Sequence, residues 1–266
     1  MFRLEYKRIT RSKQLGGFVV SFWKKGKRLR LSPSSVGTYI NCPYKYKLRY
    51  VDKIQSNIVV PHLEKGKQIH SEIERFYNTL PKEKKITPVV LENHKEVFDK
   101  ETYKKYTEHF DGFVEMNKQI LQNLPENMKD YIKPIAVEEK MYDENMDMVG
   151  IIDAVYCDEK SVLILDFKTG KPHKYLYPAD RLQLAVYKHL WDHFHPDKIV
   201  THWAHFYTKS PPGNRNPLIQ EANKKDMDKM YKTFEDTRCN ILAEIFPKAT
   251  SNWFCGKCEY MERCYG

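Results

Sequence analysis

Hydrophobic and polar positions along this chain change their period several times, and each change marks an element. Phe18 to Trp23 and Arg28 to Leu31 read as two short strands around a Lys24–Lys27 turn. Ser32-Pro33 then offers a helix N-cap and a proline at the first helical position. The helix it opens is expected to run to about Tyr50, carrying Tyr39, Cys42, Tyr46 and Tyr50 on related faces. Ile69, Ile73 and Phe76 form the apolar stripe of a second helix, about Leu63 to Leu80. Residues 82–130 are polar and helical in character with no sharp linker, so they read as a helical insertion. Strand patterns return at 134–142, 148–156 and 162–168. A helix over Ala179–Trp191, a strand at 199–207, a Pro- and Gly-bearing loop at Ser210–Pro217 and a helix over 222–245 follow. This order predicts an α/β fold, with a mixed central sheet flanked by helices. We expect one domain over 1–266, opened by a β-hairpin at 1–31.

Composition narrows the function. The 266 residues hold 45 Lys and Arg against 35 Asp and Glu, a net charge of +10, with 41% hydrophobic residues. That is too apolar for a disordered chain, and no run approaches the roughly 20 apolar residues of a membrane span. The first residues lack an apolar signal core, so a soluble, cytoplasmic protein is expected. The positive excess points to a polyanionic partner, with nucleic acid the first choice. Lys24, Lys25, Lys27, Arg28 and Arg30, interleaved with Phe22 and Trp23, suit contact with a single strand by charge and stacking. They equally suit a solvated hairpin face. No phosphate-binding G-x-x-x-x-G-K-[ST] loop occurs, which excludes a P-loop ATPase.

The most informative stretch is Val149 to Gly170. Two β-type runs flank Cys157–Ser161, and a two- or four-residue turn gives one register, in which paired numbers sum to 319. Asp153 then faces Asp166, and Lys168 shares the face of Asp166. A turn one residue longer would move every side chain to the other face. Two carboxylates opposed among Val, Ile and Leu repel each other and are costly to desolvate. A hard divalent cation such as Mg²⁺ or Mn²⁺ removes both penalties. The ammonium of Lys168 would then serve an attacking water and offset charge developing on a phosphate.

The cysteines form a second constellation. Cys255, Cys258 and Cys264 crowd the C-terminus, while Cys42, Cys157 and Cys239 are scattered. Three clustered thiols suggest metal ligation, but a four-ligand site needs one more donor, and no histidine follows His205.

These motifs together resemble the PD-(D/E)XK nuclease superfamily, in its RecB-like branch with an iron–sulfur cluster. That branch holds the nuclease domains of AddB-type helicase–nucleases and the CRISPR-associated RecB-like exonucleases. Gly150-Ile151-Ile152-Asp153 followed by Asp166-Phe167-Lys168-Thr169-Gly170 resembles its central motif. Gly66 to His70 resembles its G-x-x-x-H helix, Gln183 to Tyr187 its Q-x-x-x-Y helix, and Ser32-Pro33 leading to Cys42-Pro43 its opening helix. The resemblance implies a restriction-endonuclease-like fold. It makes His70, Asp153, Asp166 and the Phe167 carbonyl ligands of Mg²⁺ or Mn²⁺, and Lys168 the catalytic lysine. Gln183 and Tyr187 would contact DNA or support the site. Glu138 or its neighbour Glu139 would match a further acidic position, and spacing does not choose between them. Cys42 becomes the fourth partner of Cys255, Cys258 and Cys264 around a four-iron four-sulfur (4Fe-4S) cluster, stapling residues 252–266 to the opening helix. A Cys₄ zinc site is the other metal this donor set fits.

The function expected is therefore a metal-dependent DNA exonuclease, acting on single strands or DNA ends in recombination, repair or CRISPR adaptation. Its implied partner is a helicase or a recombination or adaptation protein. The alternative from another class is a non-catalytic nucleic-acid-binding protein with a structural Cys₄ metal. A third, an electron carrier, lacks a second redox centre.

Overall fold

A computed structural model describes residues 8–11, 18–21, 23–24, 27–56, 61–81, 85–123, 132–158, 161–209, 217–249 and 255–265. In chain order the strands and helices begin with β1 (Arg8–Arg11), β2 (Phe18–Ser21), β3 (Trp23–Lys24) and β4 (Lys27–Arg28). Helices α1 (Pro33–Asn41) and α2 (Pro43–Tyr46) follow, α2 continuing as a π-helical turn over Lys47–Val51. Next come α3 (Pro61–Thr79), α4 (Pro88–Asn93) with a 3₁₀ turn at His94–Val97, α5 (Lys100–Lys105) and α6 (Thr107–Asn123). The remainder is β5 (Ala136–Asp143), β6 (Met148–Cys157), β7 (Val162–Lys168), α7 (Pro178–Phe194), β8 (His202–Tyr207), β9 (Leu218–Glu221), α8 (Lys224–Leu242) and α9 (Met261–Tyr265). No helix among the described residues is long and apolar enough to cross a membrane.

The chain divides into two compact units, Met1–Val59 with Met141–Gly150 and Lys224–Gly266, and Val60–Lys140 with Ile151–Asn223. Strands β5 to β9 form one sheet in sequence order. β6 and β7 are antiparallel, β7 and β8 parallel, β8 and β9 antiparallel. The parallel pair needs a crossover, and α7 supplies it. This mixed sheet, with helices beside it, is the architecture expected from the alternation of strand and helix patterns.

In the second unit, alternate residues of β7 and β8 share one aromatic-rich core. Leu165, Phe167, Ala204 and Phe206 pack with Ile69, Ile73 and Phe76 of α3 and with Phe110 and Phe113 of α6. Phe167 meets Phe113 edge-on at 5.6 Å between ring centres. Asp166 alternates with Leu165 and Phe167, so its side chain leaves the opposite face of β7. α6 comes so close to the end of β8 that a Cβ on Gly112 would stand 2.0 Å from the Thr208 carbonyl oxygen.

In the first unit, Ser32 caps α1 in a reciprocal box with Ser35. The expected single helix from Ser32 to Tyr50 is interrupted. Cys42 is extended, with φ −160°, because the residue before a proline is pushed out of the helical region, and it caps α2 instead. Tyr39 donates its hydroxyl to the Ile245 carbonyl at 2.6 Å, and Tyr46 stacks on Phe246. The N-terminal pairing also differs from the expected one. β2 pairs with β1, and the short hairpin is β3 with β4. Phe22, Lys25 and Gly26 lie outside the described residues. Leu31, expected to end a strand, instead makes a parallel bridge to Met148. Leu218–Glu221 forms the edge strand β9, which the sequence pattern did not indicate.

Candidate active site and cysteine cluster

The β6–β7 hairpin has the register expected for it. Ala154 pairs with Leu165 and Cys157 with Val162, numbers that sum to 319. Asp158 N–H donates to the Ser161 carbonyl at 3.0 Å and closes the turn. The paired ladder stops one residue short of Asp153 and Asp166. The Asp153 carboxylate accepts the Phe167 N–H at 2.7 Å, fixing the acid to the neighbouring strand by its side chain. Both acids are almost fully buried, 5% and 2% exposed. Burial and the charge of Asp166 push the Asp153 carboxyl up to about 6, against the pull of His70.

Helix α3 delivers His70 to this corner. Its Nε2 lies 2.9 Å from the Phe167 carbonyl oxygen. Its Nδ1 lies 3.0 Å from Glu138 Oε1 and 3.5 Å from Asp153 Oδ1. Burial opposes a charge on this imidazole, but the hydrogen bonds and charges of Asp153 and Glu138 prevail and raise it to about 11. Glu138 is the site residue that sequence reasoning left undecided. It sits in β5 with φ +47°, a left-handed backbone that few non-glycine residues adopt, and this breaks the simple in–out alternation of the strand. Strain of this kind, of order 1–3 kcal/mol, is characteristic of functional positions. Here it accompanies a carboxylate delivered to His70.

His70, Glu138 and Asp153 each present one ligand atom, all within 4.8 Å of one another. Asp166 completes the picture differently. Lys168 Nζ stands 2.8 Å from Asp166 Oδ2 as an ion pair, yet that buried oxygen has no aligned hydrogen bond among the described residues. Three carboxylates, a nearby carbonyl and one imidazole are a donor set for a hard divalent ion. Of the expected ligands, His70 and Asp153 come together with Glu138, the Phe167 carbonyl lies on His70, and Asp166 is paired with Lys168.

Lys168 is held from α7. Its ammonium donates to Gln183 Oε1 at 2.8 Å, and Gln183 Nε2 donates to the Tyr187 hydroxyl at 2.7 Å. Gln183 and Tyr187 are one helical turn apart, so the two motif residues form one chain ending on the lysine. Burial disfavours the Lys168 charge, but Asp166 outweighs it and the pKa is raised, so the ammonium keeps its proton at neutral pH. Another residue absent from the expected set is His205. It is wholly buried and faces Asp166 across the β7–β8 pair, with Nε2 3.5 Å from Asp166 Oδ2.

In the first unit Cys42, Cys255, Cys258 and Cys264 line one cavity with Lys45 and Tyr260, and all four are free thiols. The tail is held there by Lys45 to Glu259 at 2.7 Å and by the Tyr260 hydroxyl on the Ile54 carbonyl at 2.9 Å. Tetrahedral zinc, at about 2.3 Å to each sulfur, needs its thiolates only about 3.8 Å apart. Among the described residues, no three cysteine sulfurs gather within 4.8 Å of one another. Cys157 lies beside the hairpin turn and Cys239 is exposed on α8, and neither lines this cavity.

Residues 30–265 match the PD-(D/E)XK nuclease superfamily. The chain belongs to that superfamily, whose members generally use divalent metals. A solved Eubacterium rectale protein, named as a candidate exonuclease, has the same fold, with TM-score 0.51 and 14% identity over 88% of this chain and 87% of its own. The structure of SSO0001 is more remote, with TM-score 0.34 and 16% identity over 78% of this chain and 97% of that one. A search of curated proteins finds no match.

Proposed function

We propose that this nuclease is a Mg²⁺- or Mn²⁺-dependent DNA exonuclease of the RecB-like iron–sulfur branch. The observation that carries the reading is the convergence of His70, Glu138 and Asp153 within 4.8 Å, with the charge of Asp166 acting on Asp153 and Lys168 paired to Asp166. His70, Glu138, Asp153 and Asp166 would hold the ion, with the Phe167 carbonyl adjoining. A bound divalent ion supplies an activated water and polarises the scissile phosphate. The chain's own contribution lies in Lys168. Its retained proton makes it a fixed donor for charge developing on the phosphate oxygens, and Gln183 aims it. Tyr187 is buried, which favours support of Gln183 over contact with DNA.

The order of the motifs from Ser32 to Cys264 supports the branch, and with it a 4Fe-4S cluster on the four thiols that line one cavity, a donor set that zinc also fits. The family match runs through both compact units, which supports reading 1–266 as one nuclease domain. We read the substrate as single-stranded DNA or DNA ends, within recombination, repair or CRISPR adaptation. The partner would be a helicase or a recombination or adaptation protein, and the place of action the cytoplasm. The test is cleavage of end-labelled single- and double-stranded DNA with Mg²⁺ or Mn²⁺, by protein purified without oxygen. Stepwise loss of label from one end supports the reading. No cleavage in either metal, by folded protein, rejects it.

A further inference from the structure

Where α5 gives way to α6, an open cavity of about 410 Å³ is walled by Lys65, Lys104, Lys105 and Lys209, with Glu108 and His109. We propose that this pocket seats a phosphate group of the substrate strand beside the scissile bond. The proposal rests on the nuclease reading and deepens it, since a cation site for the scissile phosphate and an anion site for its neighbour are separate devices.

The charge is unbalanced. Four ammonium groups face one carboxylate, and Glu108 is already taken by Lys209 at 2.6 Å. Lys104 and Lys105 are exposed, and neither is in an ion pair among the described residues. The buried wall reports the field. The His109 imidazole is pushed down to about 4, by burial first and then by the charges of Lys65 and Lys209. The part of that shift due to Lys65 and Lys209 marks a positive field, which favours an anion. Lysines are point-charge partners for phosphate, and an open polar pocket suits a ligand that stays partly hydrated.

The pocket is tied to the active site through backbone. Lys65 Nζ donates to the carbonyl of Thr169 at 2.9 Å, the residue after Lys168. Thr208 N–H donates to the Lys168 carbonyl at 3.0 Å, and the Thr208 hydroxyl meets His109 Nδ1 at 2.7 Å. On α3, Lys65 is five residues from His70, about 7.5 Å along the axis. A strand whose scissile phosphate lies at Asp166 and Lys168 would therefore bring an adjacent phosphate to these lysines. That phosphate is either an internal diester or the monoester at a strand end.

The experiment is fluorescence anisotropy without divalent cations, so that binding is read apart from cleavage. The probes are labelled oligonucleotides with 5′-phosphate, 3′-phosphate or hydroxyl ends. Lys104→Ala/Lys105→Ala is compared with wild type and with the charge-matched Lys224→Ala/Lys225→Ala on α8, each checked by circular dichroism. The pocket variant should bind about tenfold more weakly and show a salt slope smaller by about 1.4, the change expected for two lost single-strand contacts. The control should change less than twofold. A loss confined to one phosphorylated end assigns the pocket to a terminal phosphate, and an equal loss on all probes assigns it to an internal one. Either result supports the site. A pocket variant that tracks its control overturns it. Cleavage with unchanged binding by the pocket variant would remove this site and spare the nuclease reading. Pocket-dependent binding without cleavage would do the reverse.

Discussion

Asp166 is buried with the Lys168 ammonium 2.8 Å and His205 Nε2 3.5 Å from one carboxylate oxygen. Replacing it with Asn keeps the shape and removes the charge that opposes Asp153. Cleavage should fall at least about a hundredfold. A wild-type cleavage rate in folded Asp166→Asn would reject the site. Gln183→Ala should leave binding intact and lower the single-turnover rate on the order of tenfold, because Lys168 loses the acceptor that aims it. His109 gives a pH signature. Its folded pKa, about 4, lies below the ordinary histidine value. The unfolded chain therefore binds the proton first, and the stability this neutral imidazole contributes is whole above about pH 6.5 and lost as pH falls towards 4. Wild type should thus lose stability between pH 7 and 4.5 faster than His109→Gln, measured by urea unfolding. Parallel slopes would contradict the assignment.

At the scale of elements, the hairpin was legible because turn length alone fixes which side chains face each other. Asp153, Asp166 and Lys168 follow from that one register, and Gln183 with Tyr187 from helical spacing. What stayed hidden depends on backbone that local pattern does not encode. Val137-Glu138-Glu139 looks like a strand with two equivalent acids, and only a left-handed φ at Glu138 delivers one of them to His70. β9 is four residues long, too short to show a period of two, and His205 reaches Asp166 only through parallel pairing. The break at Cys42 did have a signal, the Cys42-Pro43 dipeptide, which disfavours helix at the cysteine. Gly112 gives an element-scale test. Alanine is the better helix former by about 1 kcal/mol. Its methyl, however, would enter the Thr208 carbonyl, a rigid strand-end group, and overpacking of that kind costs about 1–3 kcal/mol. The clash should win, so Gly112→Ala should lower the midpoint of thermal unfolding. An unchanged or raised midpoint would mean α6 is free to back away from β8.

At the scale of the whole chain, the cysteine cluster joins residues that lie far apart in sequence but within one compact unit. Cys42 precedes Cys255 by 213 positions. Among the described residues, the tail from Cys255 to Tyr265 includes one short helix, α9, and few fully buried side chains beyond Tyr260. Polar contacts such as Lys45 to Glu259 contribute little when partly exposed, so on the proposed reading a group bound by the four cysteines would supply most of the tail's order. A cross-link closing so long a loop stabilises by up to about 5 kcal/mol in the chain-entropy account. For a chain of this size, losing 2–5 kcal/mol of that corresponds to a drop of roughly 5–15 °C in Tm. Protein purified without oxygen should therefore be brown and carry iron and sulfide. Cys42→Ala, Cys255→Ala, Cys258→Ala and Cys264→Ala should each bleach it, lower Tm within that range and expose the tail to protease. Cys157→Ala and Cys239→Ala, outside the cavity, should do none of these. Stoichiometric zinc without iron in the same preparation would replace the cluster by a Cys₄ zinc site. A wild-type Tm and protease pattern after loss of any of the four thiols would end the idea that this site holds the tail.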